Sequence, residues 1–204
     1  MIKIGIDESN YSPSLVGPCV VAVYRQRGQL LRGVKDSKVL NAKQRMALYR
    51  KLAERGDYVV TLAMPSDIAR LGIYKARNIA AMEAITRLVG DTPGNEPIQI
   101  HADTSLWYGL RKWASGKGYR IATRKGGNSW VWAASIFAKV NADAMFFGWG
   151  KLLPEWGPDF GRGTVRKRDK MQLNTIGPTP FHRVKGYAKS WWEKLITHRG
   201  SNNR

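Results

Sequence analysis

The feature that most constrains this chain is the alternation of short β-branched runs with longer stretches of helical period. Met1 to Ile6 reads as a short buried strand that stops at Asp7-Glu8, and Val16 to Tyr24 as a second, β-branched one. Asn10, Ser12, Pro13 and Ser14 make the turn between them. Arg25 to Gln29 is a hairpin loop, and Leu30 to Val34 is expected as a third strand. Asn41 is placed to cap a helix that runs to about Glu54. Tyr58 to Ala63 is a strand, and Pro65-Ser66-Asp67 opens a short helix ending near Gly72. Lys75 to Val89 is a helix with Ile79, Met82, Ile85 and Leu88 or Val89 on its inner face. Ile98 to Ala102 is a strand ending at Asp103, and Tyr119 to Thr123 is another. Ser129 to Phe147 is the longest and most apolar helix, and Gly148 to Gly163 reads as an irregular connection. The remainder is expected as helix in two pieces, split at Gly177-Pro178-Thr179-Pro180. Such an order predicts an α/β fold, a mixed central sheet flanked by helices. One domain is expected over 1–150, and a basic, partly helical extension packed on it over 151–204.

Charge narrows the partner. Lys and Arg number 34 against 15 Asp and Glu, a net +19, so a polyanion is the natural counterpart. Nucleic acid is the first expectation, because phosphate neutralisation releases condensed counterions. A basic protein seated on a ribosome or an anionic membrane is the bland alternative. Residues 162–204 are the densest basic stretch. There the run Arg166-Lys167-Arg168 is either a phosphate contact or a solvated helix face. Trp191-Trp192, between Lys189 and Lys194, either stacks on bases or packs with one ring buried. Cys19 is the single cysteine, which excludes an internal disulfide and suits the reducing cytoplasm. Neither a signal peptide nor a membrane span is apparent. A cytoplasmic monomer with no membrane association is expected.

In so cationic a chain the placement of acids is informative. Asp7 and Glu8 sit where one strand ends, Asp103 where another ends, and Asp143 within the most apolar helix. Four hard oxygen donors without His or Cys suit Mg²⁺ or Mn²⁺ rather than zinc. Divalent ions also reconcile acids with a phosphate substrate, by bridging carboxylate and phosphate. Each acid alone has a plainer reading: Asp7 or Asp103 capping a turn or helix, Asp143 paired with an arginine. The three histidines form no metal set. His101 is read as packed or as a neighbour of Asp103, and His182 as structural.

Six ordered motifs carry a family resemblance. Gly5-Ile6-Asp7-Glu8-Ser9 with Pro13 and Gly17-Pro18, then Asp36-Ser37-Lys38-Val39-Leu40, are similar to the first two motifs of ribonuclease HII. Arg77-Asn78 with Ala81-Met82 and Ala84 resembles its following helix, and Ile100-His101-Ala102-Asp103 its later acidic strand. Ala133-Ala134-Ser135-Ile136-Phe137-Ala138-Lys139-Val140, followed by Asp143, resembles its most recognisable helix. Gly177-Pro178-Thr179-Pro180-Phe181-His182-Arg183 resembles its closing motif. The resemblance implies a ribonuclease H-like fold, with 1–150 as catalytic domain, and Mg²⁺ or Mn²⁺ dependence. It implies hydrolysis of the RNA strand of RNA–DNA hybrids by two metal ions, leaving 5′-phosphate and 3′-hydroxyl ends. Asp7, Glu8, Asp103 and Asp143 would be the catalytic, metal-holding acids. Lys38 would lie near a backbone phosphate, with Lys125, Arg162, Arg166, Lys167, Arg168 and Arg183 expected at the nucleic acid.

Three positions depart from the family pattern. Asn10-Tyr11-Ser12 stands where the family has Gly-Arg-Gly, a loop that reads the 2′-hydroxyl through backbone groups. Arg162 stands where a Tyr is usual, and Gly127 where a second acid is common. The four acids remain, so substrate choice is what these changes touch. Two other readings stand beside a hybrid-specific nuclease: the same centre retargeted to branched or structured DNA, and a non-catalytic nucleic-acid-binding protein.

Overall fold

The computed structural model describes residues 1–11, 16–29, 31–90, 96–103, 107–157, 167–177, 179 and 181–183, save the side chains of Tyr108, Arg168 and Lys170. Among them, β1 (Ile2–Ser9), β2 (Cys19–Gln26), β3 (Gly56–Ala63), β4 (Ile98–Ala102) and β5 (Arg120–Thr123) form one sheet in the order β3-β2-β1-β4-β5. β1 runs antiparallel to β2 and parallel to β4, so the sheet is mixed, as expected. Helices α1 (Ala42–Arg55), α2 (Pro65–Leu71), α3 (Ile73–Val89), α4 (Tyr108–Gly116), α5 (Ser129–Leu152) and α6 (Lys167–Ile176) complete the elements. None is long and apolar enough to cross a membrane.

Strand alternation divides the core into two layers. Ile4 and Ile6 of β1, with Val21 and Val23 of β2, pack against Ala76, Ala80, Ala81, Ala84, Ile85 and Leu88 of α3. Ala22 and Tyr24 face the other way, onto Leu52 of α1 and Ala133, Ala134 and Phe137 of α5. β2 is thus covered on both sides, which is why it reads as a continuous apolar run. At Gly5 a Cβ would fall 1.9 Å from the Trp130 carbonyl oxygen. Only glycine lets the first turn of α5 lie so near the strand that carries the acids.

Several local expectations hold and others are corrected. Asn41 caps α1 in a reciprocal box: its side chain accepts from Gln44 N at 2.9 Å, and its own N donates to the Gln44 side chain at 2.9 Å. Leu31 to Val34 is not a strand, because β2 is already paired on both edges, by β1 and β3. Ile85 and Leu88 of α3 face inward as expected, alongside a stripe of alanines, whereas Ile79 is 47% exposed. Small residues face the sheet because the helix lies close to it, and alanines give little hydrophobic contrast in a sequence. α4 lies where no helix was expected. α5 continues through Gly148 and Gly150 to Leu152, crossing the expected boundary at 150. Trp149 stacks on Phe181 with centroids 4.2 Å apart.

Candidate active site

β1 and β4 pair in parallel from Ile2↔Ile98 to Gly5↔His101. Two residues further, Asp7 comes level with Asp103, just past the end of β4. Alternation along β1 turns Glu8 towards the α3 layer, where Arg77 NH1 lies 3.4 Å from Glu8 Oε1. The three acids act on one another. Burial holds Asp7 well above the ordinary carboxylate range, and the charges of Glu8 and Asp103 push it further. Glu8 is pushed up to about 7, chiefly by burial and against the pull of Arg77. Asp103 is raised too, again chiefly by burial, with Lys38 the largest opposing charge.

Each of two acids keeps an oxygen in reserve. Among the described residues, Glu8 Oε2 and Asp103 Oδ1 are buried without a hydrogen-bond partner, a costly arrangement unless a cation answers them. As hard oxygen donors these residues fit Mg²⁺ or Mn²⁺. Among the described residues, no three His, Cys, Asp or Glu side chains are already gathered as a metal shell.

The structure does not bring Asp143 to this cluster. Its Oδ2 accepts from Arg45 NH2 at 3.3 Å and its Oδ1 from Lys139 Nζ at 2.8 Å. The plainer reading, pairing with an arginine, is what the geometry shows. Arg45 NH1 also donates to the carbonyls of Ser37 and Leu40, and Ser37 N donates to Ser135 Oγ at 3.1 Å. These bonds bracket the 3₁₀ turn Ser37–Val39, whose Lys38 is exposed and whose charge acts on Asp7, Glu8 and Asp103. Asp143 therefore braces the segment that presents Lys38.

The segment after Glu8 is shaped from a distance. Asn10 takes the left-handed conformation, φ +62°, which asparagine tolerates better than most residues. Its Nδ2 donates to the carbonyls of Val16 at 2.9 Å and Pro18 at 2.8 Å. Arg183, expected at the nucleic acid, is instead fully buried. It donates to the carbonyls of Gly17 at 2.8 Å, Tyr11 at 3.0 Å and Asn10. A buried guanidinium satisfied by carbonyls fixes a loop rather than gripping a phosphate. Tyr11 turns inward, with Arg77 over its ring and Tyr74 edge-on at 5.7 Å.

Lys125 is exposed on the turn before α5, and Lys167 on α6. Arg168 lies on α6, and Ser12, Arg162, Arg166 and Trp191-Trp192 lie outside the described residues. Asn128 caps α5, accepting from Trp130 N at 3.0 Å and Val131 N at 3.2 Å. Its Nδ2 sits 3.0 Å from His101 Nδ1, so His101 is a packed neighbour of the α5 cap. His182 Nδ1 accepts from Thr179 N at 2.9 Å, and burial pushes its pKa down to about 4. It is structural, as read.

Sequence reasoning gave no role to Arg45, Tyr74, Arg77 or Trp107. Arg77 had left a trace: a cation on the same helical stripe as Ile73, Ala80, Ala81 and Ala84.

Comparison with known proteins identifies the family. The sequence profile of the family described as ribonuclease HII matches residues 4–194. Ribonuclease HII of Cupriavidus pinatubonensis is 32% identical over 184 residues, covering 88% of this chain and 80% of that one. The crystal structure of ribonuclease H2 from Pyrococcus horikoshii superposes with a TM-score of 0.72 at 25% identity, covering 96% of this chain and 99% of that one. A ribonuclease HIII crystallised with Mn²⁺, Bst-RNase HIII, superposes at 0.73 over all of this chain and 71% of its own, at 18% identity, and speaks for the fold alone. With the acids at the adjoining ends of β1 and β4 of a ribonuclease H-like sheet, the chain belongs to the ribonuclease HII family and is a type 2 ribonuclease H endonuclease.

Proposed function

We propose that the chain hydrolyses the RNA strand of RNA–DNA hybrids at a divalent-cation site formed by Asp7, Glu8 and Asp103, leaving 5′-phosphate and 3′-hydroxyl ends. The observation that carries this reading is the pair of buried, unpartnered oxygens, Glu8 Oε2 and Asp103 Oδ1, at adjoining strand ends. Two Mg²⁺ or Mn²⁺ ions there would supply an activated water and offset charge on the leaving oxygen. The chain's own residues do the rest. Asp7, Glu8 and Asp103 hold the cations, and Lys38 draws a backbone phosphate towards them. Lys125, Lys167 and the basic extension over 151–204 add sequence-independent attraction. Asp143 acts through Arg45 and the 36–40 segment rather than at the reacting phosphate. The protein works as a monomer in the cytoplasm.

A second reading has one observation in its favour. Tyr11 is turned into the protein, and the carbonyls of Asn10 and Tyr11 already accept from Arg183. Fewer groups of this segment are left to meet a ribose hydroxyl, which suits the same centre acting on branched or structured DNA.

The test is a cleavage panel with one divalent metal at a time. It compares an RNA–DNA hybrid, a duplex with one embedded ribonucleotide and branched DNA. Cutting of the hybrid with Mg²⁺ or Mn²⁺, abolished by chelation, is expected. Cutting of branched DNA alone would establish the second reading, and cutting of none with any metal would leave a binding protein.

A further inference from the structure

Arg77 is almost completely buried, 1% exposed, in the middle of the alanine stripe of α3. A cation so placed costs free energy unless its surroundings answer it, and here they answer from two sides. The guanidinium carbon lies 4.5 Å from the centroid of the Tyr11 ring and 4.0 Å from that of Trp107. NH1 reaches Glu8 Oε1 at 3.4 Å. These contacts come from different strand ends. Tyr11 follows Glu8 by three residues beyond β1, and Trp107 follows Asp103 by four beyond β4. One side chain on α3 therefore touches both segments that leave the acidic cluster, and also one of its acids. No other side chain described at the site does so.

We propose that Arg77 is a positioning residue for the divalent-cation site. It engages one oxygen of Glu8 and leaves the other, Oε2, turned towards the cation. Through its two ring contacts it fixes the spacing between the segments that follow Glu8 and Asp103. The rings also hold the guanidinium on the α3 side of Glu8, away from the position where its charge would repel the incoming metal. Lysine cannot replace it, because a compact ammonium lacks the flat faces that the rings contact. This role rests on the reading of Asp7, Glu8 and Asp103 as the cation-holding acids.

The experiment measures Mn²⁺ binding to the full-length protein without nucleic acid, by calorimetry, together with the Mn²⁺ dependence of hybrid cleavage. Wild type is compared with Arg77→Met, Arg77→Lys and Tyr11→Leu. Thermal melting in chelator confirms that each variant is folded. The expected result is Mn²⁺ binding weakened about 10-fold or more in Arg77→Met, in the range found when partners of metal ligands are removed. The half-saturating Mn²⁺ for cleavage should rise in parallel, while kcat at saturating Mn²⁺ changes less than about 3-fold. Arg77→Lys should recover only part of the affinity. Tyr11→Leu leaves Arg77 and Glu8 in place but removes one ring, and should weaken binding about 3-fold. It keeps the question open to an answer if Arg77→Met fails to fold. Mn²⁺ binding unchanged in the folded variants, with only the melting temperature lowered, would reduce Arg77 to a packing residue and overturn the proposal. Absence of Mn²⁺ binding in wild type would instead overturn the metal reading on which it rests.

Discussion

Two acidic places in this cationic chain differ in one respect that decides their chemistry. At Asp7, Glu8 and Asp103 the carboxylates are raised chiefly by burial, and among the described residues two of their oxygens have no partner. At Asp143 both oxygens are taken, by Arg45 and Lys139, and the side chain is 27% exposed. In sequence both look like acids in apolar settings. The difference is one of compensation. An acid whose two oxygens are both taken has nothing left to offer a cation, whereas acids at a strand end that keep a buried oxygen without a partner carry a standing cost that a divalent ion removes.

The sharpest way to break this comparison is to neutralise one acid from each place. Asp7→Asn should lower hybrid cleavage by at least about 10²-fold while hybrid binding in a mobility-shift assay persists. Cleavage within a few-fold of wild type would mean that the strand-end cluster is not the reacting centre. Lys38→Ala tests the cation that links the two places. We expect kcat/KM to fall about 10-fold, with a shallower salt dependence, because one phosphate contact is lost. An unchanged salt slope would remove Lys38 from the nucleic acid.

Asp143→Asn should cost cleavage less than about 5-fold and stability about 1 kcal/mol, discounted for its partial exposure. A double-mutant cycle with Arg45→Met measures the coupling directly. If Asp143→Asn abolishes turnover as Asp7→Asn does, the two places are one site after all. The smallest effect concerns pH. Glu8 titrates near 7 in the folded protein against an ordinary 4.5, so between these values the folded state holds a proton that the unfolded chain has released. Metal-free stability should therefore fall as pH rises through that window, and the raised Asp7 and Asp103 act in the same sense. Melting in chelator should drop by a few degrees from pH 5 to 7, and Mn²⁺ should restore more at pH 7 than at pH 5. A melting temperature that climbs over that range without metal would show the acids to be compensated by the protein itself.

What could be read from the chain and what could not follows the same division. Asp7-Glu8 and Asp103 were legible because each ends an apolar run, a local pattern that survives without coordinates. Asn41 was legible as a cap because it directly precedes a stretch of helical period. Asp143 was misplaced because its partner, Arg45, lies 98 residues away on α1, and no spacing rule reports that meeting. Arg183 looked like a phosphate ligand by its charge, yet burial turned its donors inward onto carbonyls 166 to 173 residues earlier. The supposed strand Leu30 to Val34 had the right composition, but β2, the neighbour it would follow in a hairpin, is already paired on both edges. α4 escaped notice because it is only nine residues long and carries glycines at its second and last positions. On α3 the larger side chains Ile85 and Leu88 point inward as expected and Met82 packs against the core, and only Ile79 misled, because the alanines beside them give little hydrophobic contrast.

The reach of Arg183 bears on how the protein is made. By the time a ribosome has passed Asp103, every acid of the strand-end cluster has been synthesised. The segment behind those acids still lacks the guanidinium that ties the carbonyls of Asn10, Tyr11 and Gly17 together, and it gains that residue only with Arg183, much further along the chain. The centre is thus assembled in two instalments, the charges early and the tie that shapes their surroundings late. A nascent chain still attached to its messenger carries the acids of a nuclease without its finished form.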